Sequence, residues 1–128
     1  MSGADAAALE LMGLLPRTGR GPKREGLYAL WLTLRIAQDM LLDPPLPERA
    51  MRRRLAALEH RLTSLTVPPP LRRALHAALV HLRDAGGPAV ALVLTALVAP
   101  VRETIGGEAA DAVLRAGRAA RQAPAPAR

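Results

Sequence analysis

Residues that could bind a metal ion or transfer a proton are few in this sequence. The only histidines are His60, His76 and His81, and the last two are five residues apart. Because an α-helix turns by about 100° per residue, this spacing places their imidazoles roughly 140° apart, and they cannot share a metal ion on one face. The two-histidine, multi-carboxylate pattern of di-iron bundles is absent as well. The sequence therefore predicts no metal site and no cofactor.

Nucleophiles for covalent catalysis are equally scarce. There is no cysteine, and the only serines, Ser2 and Ser64, lie in no Gly-x-Ser-x-Gly motif. The 11 acidic residues are scattered among 18 basic ones, mostly where helix ends or ion pairs account for them. These features predict a protein that is not an enzyme and has no small-molecule substrate. The lack of cysteine also excludes a disulfide framework.

The net charge of +7 favours contacts with phosphates and acidic surfaces. All but one of the 18 basic residues are arginines, and alanine, leucine, glycine and proline are abundant, which a GC-rich coding sequence produces irrespective of function. The arginine count is therefore weak evidence for a partner. Asp5 and Glu10 lie where a targeting segment would carry positive charge and no acid. We accordingly expect a cytoplasmic protein.

The elements that position these residues are predicted to be helices around one apolar segment. Within Pro88–Val101, Thr95 is the only polar side chain, so a helix there would be apolar on every side and would have to be buried. The run of about 14 residues is shorter than the roughly 20 that cross a bilayer, which favours a core helix over a membrane span. Pro100 is expected to end or kink this helix.

The other predicted helices are amphipathic and are separated by proline-rich turns. Apolar periodicity predicts helices over residues 2–15, 25–42, 47–65 and 71–85, and a last helix after Gly106 and Gly107. We expect an all-α fold, a compact bundle of five to six helices around the central helix of about residues 88–100. It should form a single domain over residues 1–122, with a basic flexible linker at 17–24 and a disordered tail at 123–128.

The second predicted helix is apolar on two sides, which favours a partner surface. One broad face consists of Leu27, Leu30, Trp31, Leu34, Ala37 and Leu41. A second stripe lies nearly opposite and consists of Ala29, Leu32, Ile36 and Met40. Either the helix is sandwiched within the domain, with the first helix across the stripe, or the stripe binds another chain. We predict the second arrangement, in a non-catalytic adaptor, accessory subunit or homo-oligomer, most simply a homodimer.

The alternative function is non-specific binding of nucleic acid through basic helix faces. The third helix carries its charges opposite an apolar seam with spacing four, three, four, three, formed by Met51, Leu55, Leu58, Leu62 and Leu65. The candidate phosphate-binding residues are Arg49, Arg52, Arg53, Arg54, Arg72, His76 and Arg83. Against this function, the only aromatic residues are Tyr28 and Trp31, and no helix-turn-helix is recognisable. Peripheral membrane association through residues 86–100 is a third, less favoured interpretation.

Overall fold

A computed structural model describes residues 3–42 and 44–122 of the chain. Within these ranges there is no strand, and the elements are six α-helices and two short 3₁₀ turns, the latter at Leu15–Arg17 and Gly87–Ala89. The helices are α1 (Gly3–Leu14), α2 (Pro22–Met40), α3 (Glu48–Ser64), α4 (Pro69–Ala85), α5 (Val90–Thr104) and α6 (Gly107–Gln122). The predicted all-α bundle is confirmed. Ser2, the first residue of the predicted first helix, and the predicted tail, residues 123–128, lie outside the described residues.

Proline and glycine set several of the helix ends. Pro22 and Pro69 occupy first-turn positions of α2 and α4, where a missing N–H costs no helical hydrogen bond. α2 therefore starts at Pro22, inside the segment that was predicted to be a flexible linker. α4 stops at Gly86, whose φ of 66° is readily adopted only by glycine, and whose N–H donates to the carbonyl of Leu82 over 2.9 Å.

The six helices share one core. A single cluster of buried apolar side chains includes residues from every helix. α2 contacts α1, α3, α4 and α5, while α6 packs against α5 and α1. α3 packs through its predicted seam, since Leu55, Leu58 and Leu62 are buried. The bundle is therefore organised around α2 as much as around the apolar helix α5.

α5 is buried along one side only. Val93, Leu94 and Leu97 are buried, whereas Leu92 is 66% exposed and Ala96 is exposed as well. The expectation of a helix without a solvent-facing side is therefore corrected. α4 and α6 pack closely against α5 and no described helix covers its outer side. On the α6 side the approach is close, because a Cβ at Gly117 would lie 3.2 Å from the Thr95 hydroxyl oxygen.

The apolar helix is also longer than predicted. α5 continues through Pro100 to Thr104, so the proline does not end the helix. Proline has no N–H for the carbonyl of Ala96, but Ala96 lies on the exposed side, where water can bond that carbonyl. By length and composition alone, the stretch Gly87–Thr104 is apolar enough to cross a membrane, and 33% of it is buried within the bundle. Core helices of soluble proteins meet the same criterion, so this is weak evidence for a membrane span.

Candidate functional site

The second apolar stripe of α2 packs against other helices of the same chain. Ala29 is fully buried, and Ile36 and Met40 are only 5% and 7% exposed. Leu32 is half-buried and lines a groove with Ile36, opposite Leu58 of α3. The prediction that the stripe lies open is therefore corrected, because the seam of α3 needs an apolar counterpart and this stripe provides it. α2 is sandwiched within the domain, with Leu32 and Ile36 beside α3 and Met40 beside both α3 and α4.

A separate groove, lined by both apolar and polar residues, lies between α1 and α2. Its volume is about 420 Å³, and Trp31 forms part of its wall. Leu9, Met12 and Leu42, which line it, are 56%, 47% and 43% exposed. Elsewhere in the described ranges, only Val80 and Leu92 are large apolar residues with comparable exposure. Three of these five exposed side chains therefore surround one groove.

This groove could not be found from helical periodicity. The sequence pattern places Met12 on the buried face of the first helix, together with Leu11. In the structure α1 instead turns Ala7, Ala8 and Leu11 inward and packs against α6, which leaves Leu9 and Met12 facing outward. α1 packs against an alanine-rich face of α6, and the position of α6 relative to α1 cannot be predicted from local sequence.

The two aromatic residues of the chain lie on the outward side of α2, between two arginines. The rings of Tyr28 and Trp31 stack with centroids 6.0 Å apart and planes at 19°. The guanidinium carbon of Arg35 lies 5.5 Å from the Trp31 ring centroid, and that of Arg61, on α3, lies 5.2 Å from the Tyr28 ring centroid. We call these four residues the arginine–aromatic row. Such contacts fix the guanidinium groups against the helix surface.

The row borders a second groove, between α2 and α3, which we call the arginine groove. Its volume is about 250 Å³, and it is lined by Leu32, Arg35, Ile36, Arg54, Ala57, Leu58 and Arg61. The lining thus combines an apolar floor with three arginines and includes no acidic residue. Arg54 is paired with Asp39 over 2.6 Å. In the part of the chain that the structure describes, no ion pair engages Arg35 or Arg61.

Most of the residues predicted to bind phosphate are engaged within the protein. Arg52 pairs with Glu48 over 2.7 Å, and Arg83 lies 4.0 Å from Glu59 and 3.7 Å from Asp84. The groove between α3 and α4 is lined by both of these arginines and all three acids. Since the acids outnumber the arginines there, this groove does not attract phosphate.

The remaining predicted phosphate-binding residues do not form one surface. Arg72 is half-buried and donates to the carbonyl of Leu65 over 3.0 Å, and His76 is half-buried beside it on α4. Arg49 and Arg53 are exposed on the outer side of α3, where they line a groove of about 450 Å³ with Arg52 and Glu48. No ion pair with a described residue holds either of them. Of the seven predicted residues, only these two project freely.

The described ranges also show where the potential catalytic and metal-binding side chains lie. There, no three or more histidine, aspartate or glutamate residues come together in a group that could hold a metal ion. His60 and His81 are exposed on different helices, and His76 is half-buried. The surfaces that stand out are therefore the two grooves beside α2 and the arginine–aromatic row between them.

Comparison of the chain with protein-family models, with curated protein sequences and with solved structures gives no match. The fold and the site define a general class, a small all-α bundle in which α2 presents arginines and aromatic rings between two grooves.

Proposed function

We propose that the protein is a non-catalytic helical bundle that acts by binding another protein through its α2 face. This face comprises the groove between α1 and α2, the arginine–aromatic row and the arginine groove. The observation that carries the proposal is the clustering of Leu9, Met12 and Leu42 around one groove. Exposed apolar side chains are normally scattered singly, and a cluster of them is typical of an interaction site.

The composition of the face supports the same function. Tryptophan, tyrosine, methionine and arginine are enriched in protein interfaces, and all of these except methionine are frequent among the residues that dominate the binding energy. Tyr28 and Trp31 are the only aromatic residues in the sequence, and both lie here, half-buried. Trp31 packs against the core with part of its surface, and a binding role explains why both rings stay partly exposed.

The free energy gained by burying three side chains is too small for the apolar cluster to act alone. Burying a fully exposed leucine or methionine contributes about 1.5–3 kcal/mol, so three half-exposed side chains contribute on the order of 2–5 kcal/mol. Micromolar affinity requires about 8 kcal/mol. Further contacts are therefore needed, and the aromatic rings and the arginines beside the groove can provide them. A reversible complex fits this face better than an obligate one.

Nucleic-acid binding has weaker support. Of the residues that would contact phosphate, only Arg49 and Arg53 are exposed and outside the ion pairs among the described residues. Two phosphate contacts give low affinity at physiological salt. The excess positive charge of the chain remains the only general feature in its favour.

Paired substitutions test the proposed face. Leu9→Glu with Met12→Glu should abolish capture of the partner, because it replaces two exposed apolar side chains of the groove between α1 and α2 with charges. Val80→Glu with Leu92→Glu is the matched control, since it changes two other exposed apolar residues, on α4 and α5. Both variants should keep the wild-type helical circular dichroism. Equal loss of the captured protein in both variants, or capture that survives Leu9→Glu with Met12→Glu, would contradict the proposal.

A further inference from the structure

We infer that the partner presents an acidic amphipathic helix, which lies along the arginine groove and places two carboxylates on Arg35 and Arg61. This inference rests on the proposed function and adds the chemistry of the partner. It also assigns a role to Leu32, the only member of the second apolar stripe of α2 that remains half exposed. Leu32, Ile36 and Leu58 form the apolar floor on which such a helix would rest.

The contacts of Arg35 and Arg61 indicate that these two arginines bind carboxylates of the partner. A guanidinium group carries its five N–H donors in its plane, so a stacked guanidinium contacts a ring with its face and keeps its edge free for hydrogen bonds. Arg35 and Arg61 each lie over a ring, and neither forms an ion pair with a described residue. Their N–H donors can therefore take a carboxylate, which arginine favours in bidentate geometry. Because the rings already restrain both side chains, less entropy is lost on binding.

The spacing of the arginines fits a helix. The two guanidinium groups lie over the rings of Tyr28 and Trp31, whose centroids are 6.0 Å apart. Four residues of a helix span about 6 Å along its axis. A helix parallel to α2 repeats this distance between its own residues i and i+4. Its residues i+3 and i+7 lie on the same side, where apolar side chains would meet the floor of the groove.

Other occupants fit the groove less well. A volume of about 250 Å³ is below the roughly 300–1,000 Å³ of small-molecule sites. Nucleobases need free ring faces, but Tyr28 and Trp31 already stack on each other and on the two arginines. A second copy of the chain would bring another three arginines to a lining without acids, and the resulting repulsion opposes self-association.

A titration with designed peptides tests the inference on the full chain. The probe is a helical peptide of about 18 residues with glutamates at positions i and i+4 and leucines at i+3 and i+7. Its twin has glutamine in place of both glutamates. Fluorescence of Trp31, the only tryptophan, reports binding beside the groove. We expect saturable binding of the acidic peptide and at least about tenfold weaker binding of the twin.

Substitutions in the protein locate the binding. Arg35→Gln with Arg61→Gln should weaken binding of the acidic peptide at least about tenfold. Arg49→Gln with Arg53→Gln removes the same charge from the exposed side of α3 and should change the affinity by less than about twofold. Equal losses in the two variants would show attraction by net charge alone and would overturn the inference. Equal binding of the two peptides, or no saturable binding, would overturn it as well.

Two further measurements separate the competing occupants. Tighter binding of an oligothymidylate than of the peptide, lost in Arg35→Gln with Arg61→Gln, would assign the groove to nucleic acid and overturn the inference. A dimer mass in light scattering that reverts to monomer in the same variant would assign the groove to a second copy, with the same consequence. If the peptide fails while partner capture still depends on Leu9 and Met12, only the chemistry of the partner is wrong and the proposed function stands.

Discussion

The guanidinium carbon of Arg61 on α3 lies 5.2 Å from the centre of the Tyr28 ring on α2. This contact joins the two helices at their outer edge, above the buried stripe that α2 shares with α3. It also keeps the positive charge of Arg61 at the arginine groove without neutralising it. A cation on an aromatic face at an exposed site contributes about 0.5–1 kcal/mol, so its main effect is to orient Arg61.

The first prediction concerns the stability of that contact. Arg61→Gln should lower the free energy of unfolding by less than about 1 kcal/mol, because the side chain is exposed and its ring contact is weak. Urea unfolding followed by circular dichroism measures this change. A loss of several kcal/mol would show that Arg61 holds the bundle together, and its proposed binding role would then lose its basis.

The second prediction separates the two sides of α5. Leu94→Asp and Leu97→Asp should each unfold the domain, because both side chains are buried and an unpaired buried carboxylate costs several kcal/mol, comparable with the stability of a domain. Leu92→Asp on the same helix should leave the fold intact, since Leu92 is exposed. Thermal melting distinguishes them. Wild-type melting temperatures for Leu94→Asp and Leu97→Asp would refute the burial of α5.

The third prediction concerns the second apolar stripe of α2, which was predicted to bind a partner. Ile36→Glu should destabilise the fold by about 2 kcal/mol or more, since it buries a charge between α2 and α3. Leu32→Glu, one turn earlier and half exposed, should cost less than about 1 kcal/mol. Denaturant midpoints compare the two variants. A stable Ile36→Glu variant would indicate that the stripe is open after all.

The fourth prediction tests the close approach of α5 and α6. Gly117→Leu should destabilise by about 2 kcal/mol or more, because even a Cβ there would lie 3.2 Å from the Thr95 hydroxyl oxygen. Gly13→Leu on α1 is the matched control, since nothing lies within 4 Å of a Cβ at that position. It should be neutral or stabilising by up to about 1 kcal/mol, because leucine has the higher helix propensity. Equal effects in calorimetry would contradict this packing.

A fifth prediction addresses the alternative function. Any nucleic-acid binding should be weak and electrostatic, and with Arg49 and Arg53 as its two phosphate contacts it should fall about tenfold between 50 and 200 mM salt. Arg49→Gln with Arg53→Gln should remove most of it. Filter binding at the two salt concentrations measures the slope. A sequence-specific complex that survives high salt would favour nucleic acid over a protein partner.

Local features of the fold were predictable from the sequence, whereas contacts between distant helices were not. The seam of α3 was predictable because its four, three, four, three spacing is a local property, and Leu55, Leu58 and Leu62 are indeed buried. The exposure of Leu92 was not, since an apolar stretch without periodicity does not show which side neighbouring helices leave uncovered. The same limit applied to the stripe with Ile36, which is apolar whether a partner or α3 covers it.

Only part of the candidate site could be predicted from the sequence. Tyr28, Trp31 and Arg35 have the i, i+3, i+7 spacing that places them on one side of a helix. Arg61, however, comes from another helix, and its place over Tyr28 depends on the packing register of α2 and α3. Likewise, the pairing of Arg54 with Asp39 removes a predicted phosphate-binding residue through a contact that sequence spacing does not show.

Site-specific photo-cross-linking tests the central claim most directly. A benzophenone side chain at Leu42, beside the groove between α1 and α2, is compared in cells with the same group at Leu92 on α5, since both positions are exposed. The proposed face predicts a discrete adduct with another protein from position 42, lost on Arg35→Gln with Arg61→Gln, and none from position 92. An adduct from position 92 alone, or none from position 42, would contradict the claim that this protein acts through its α2 face.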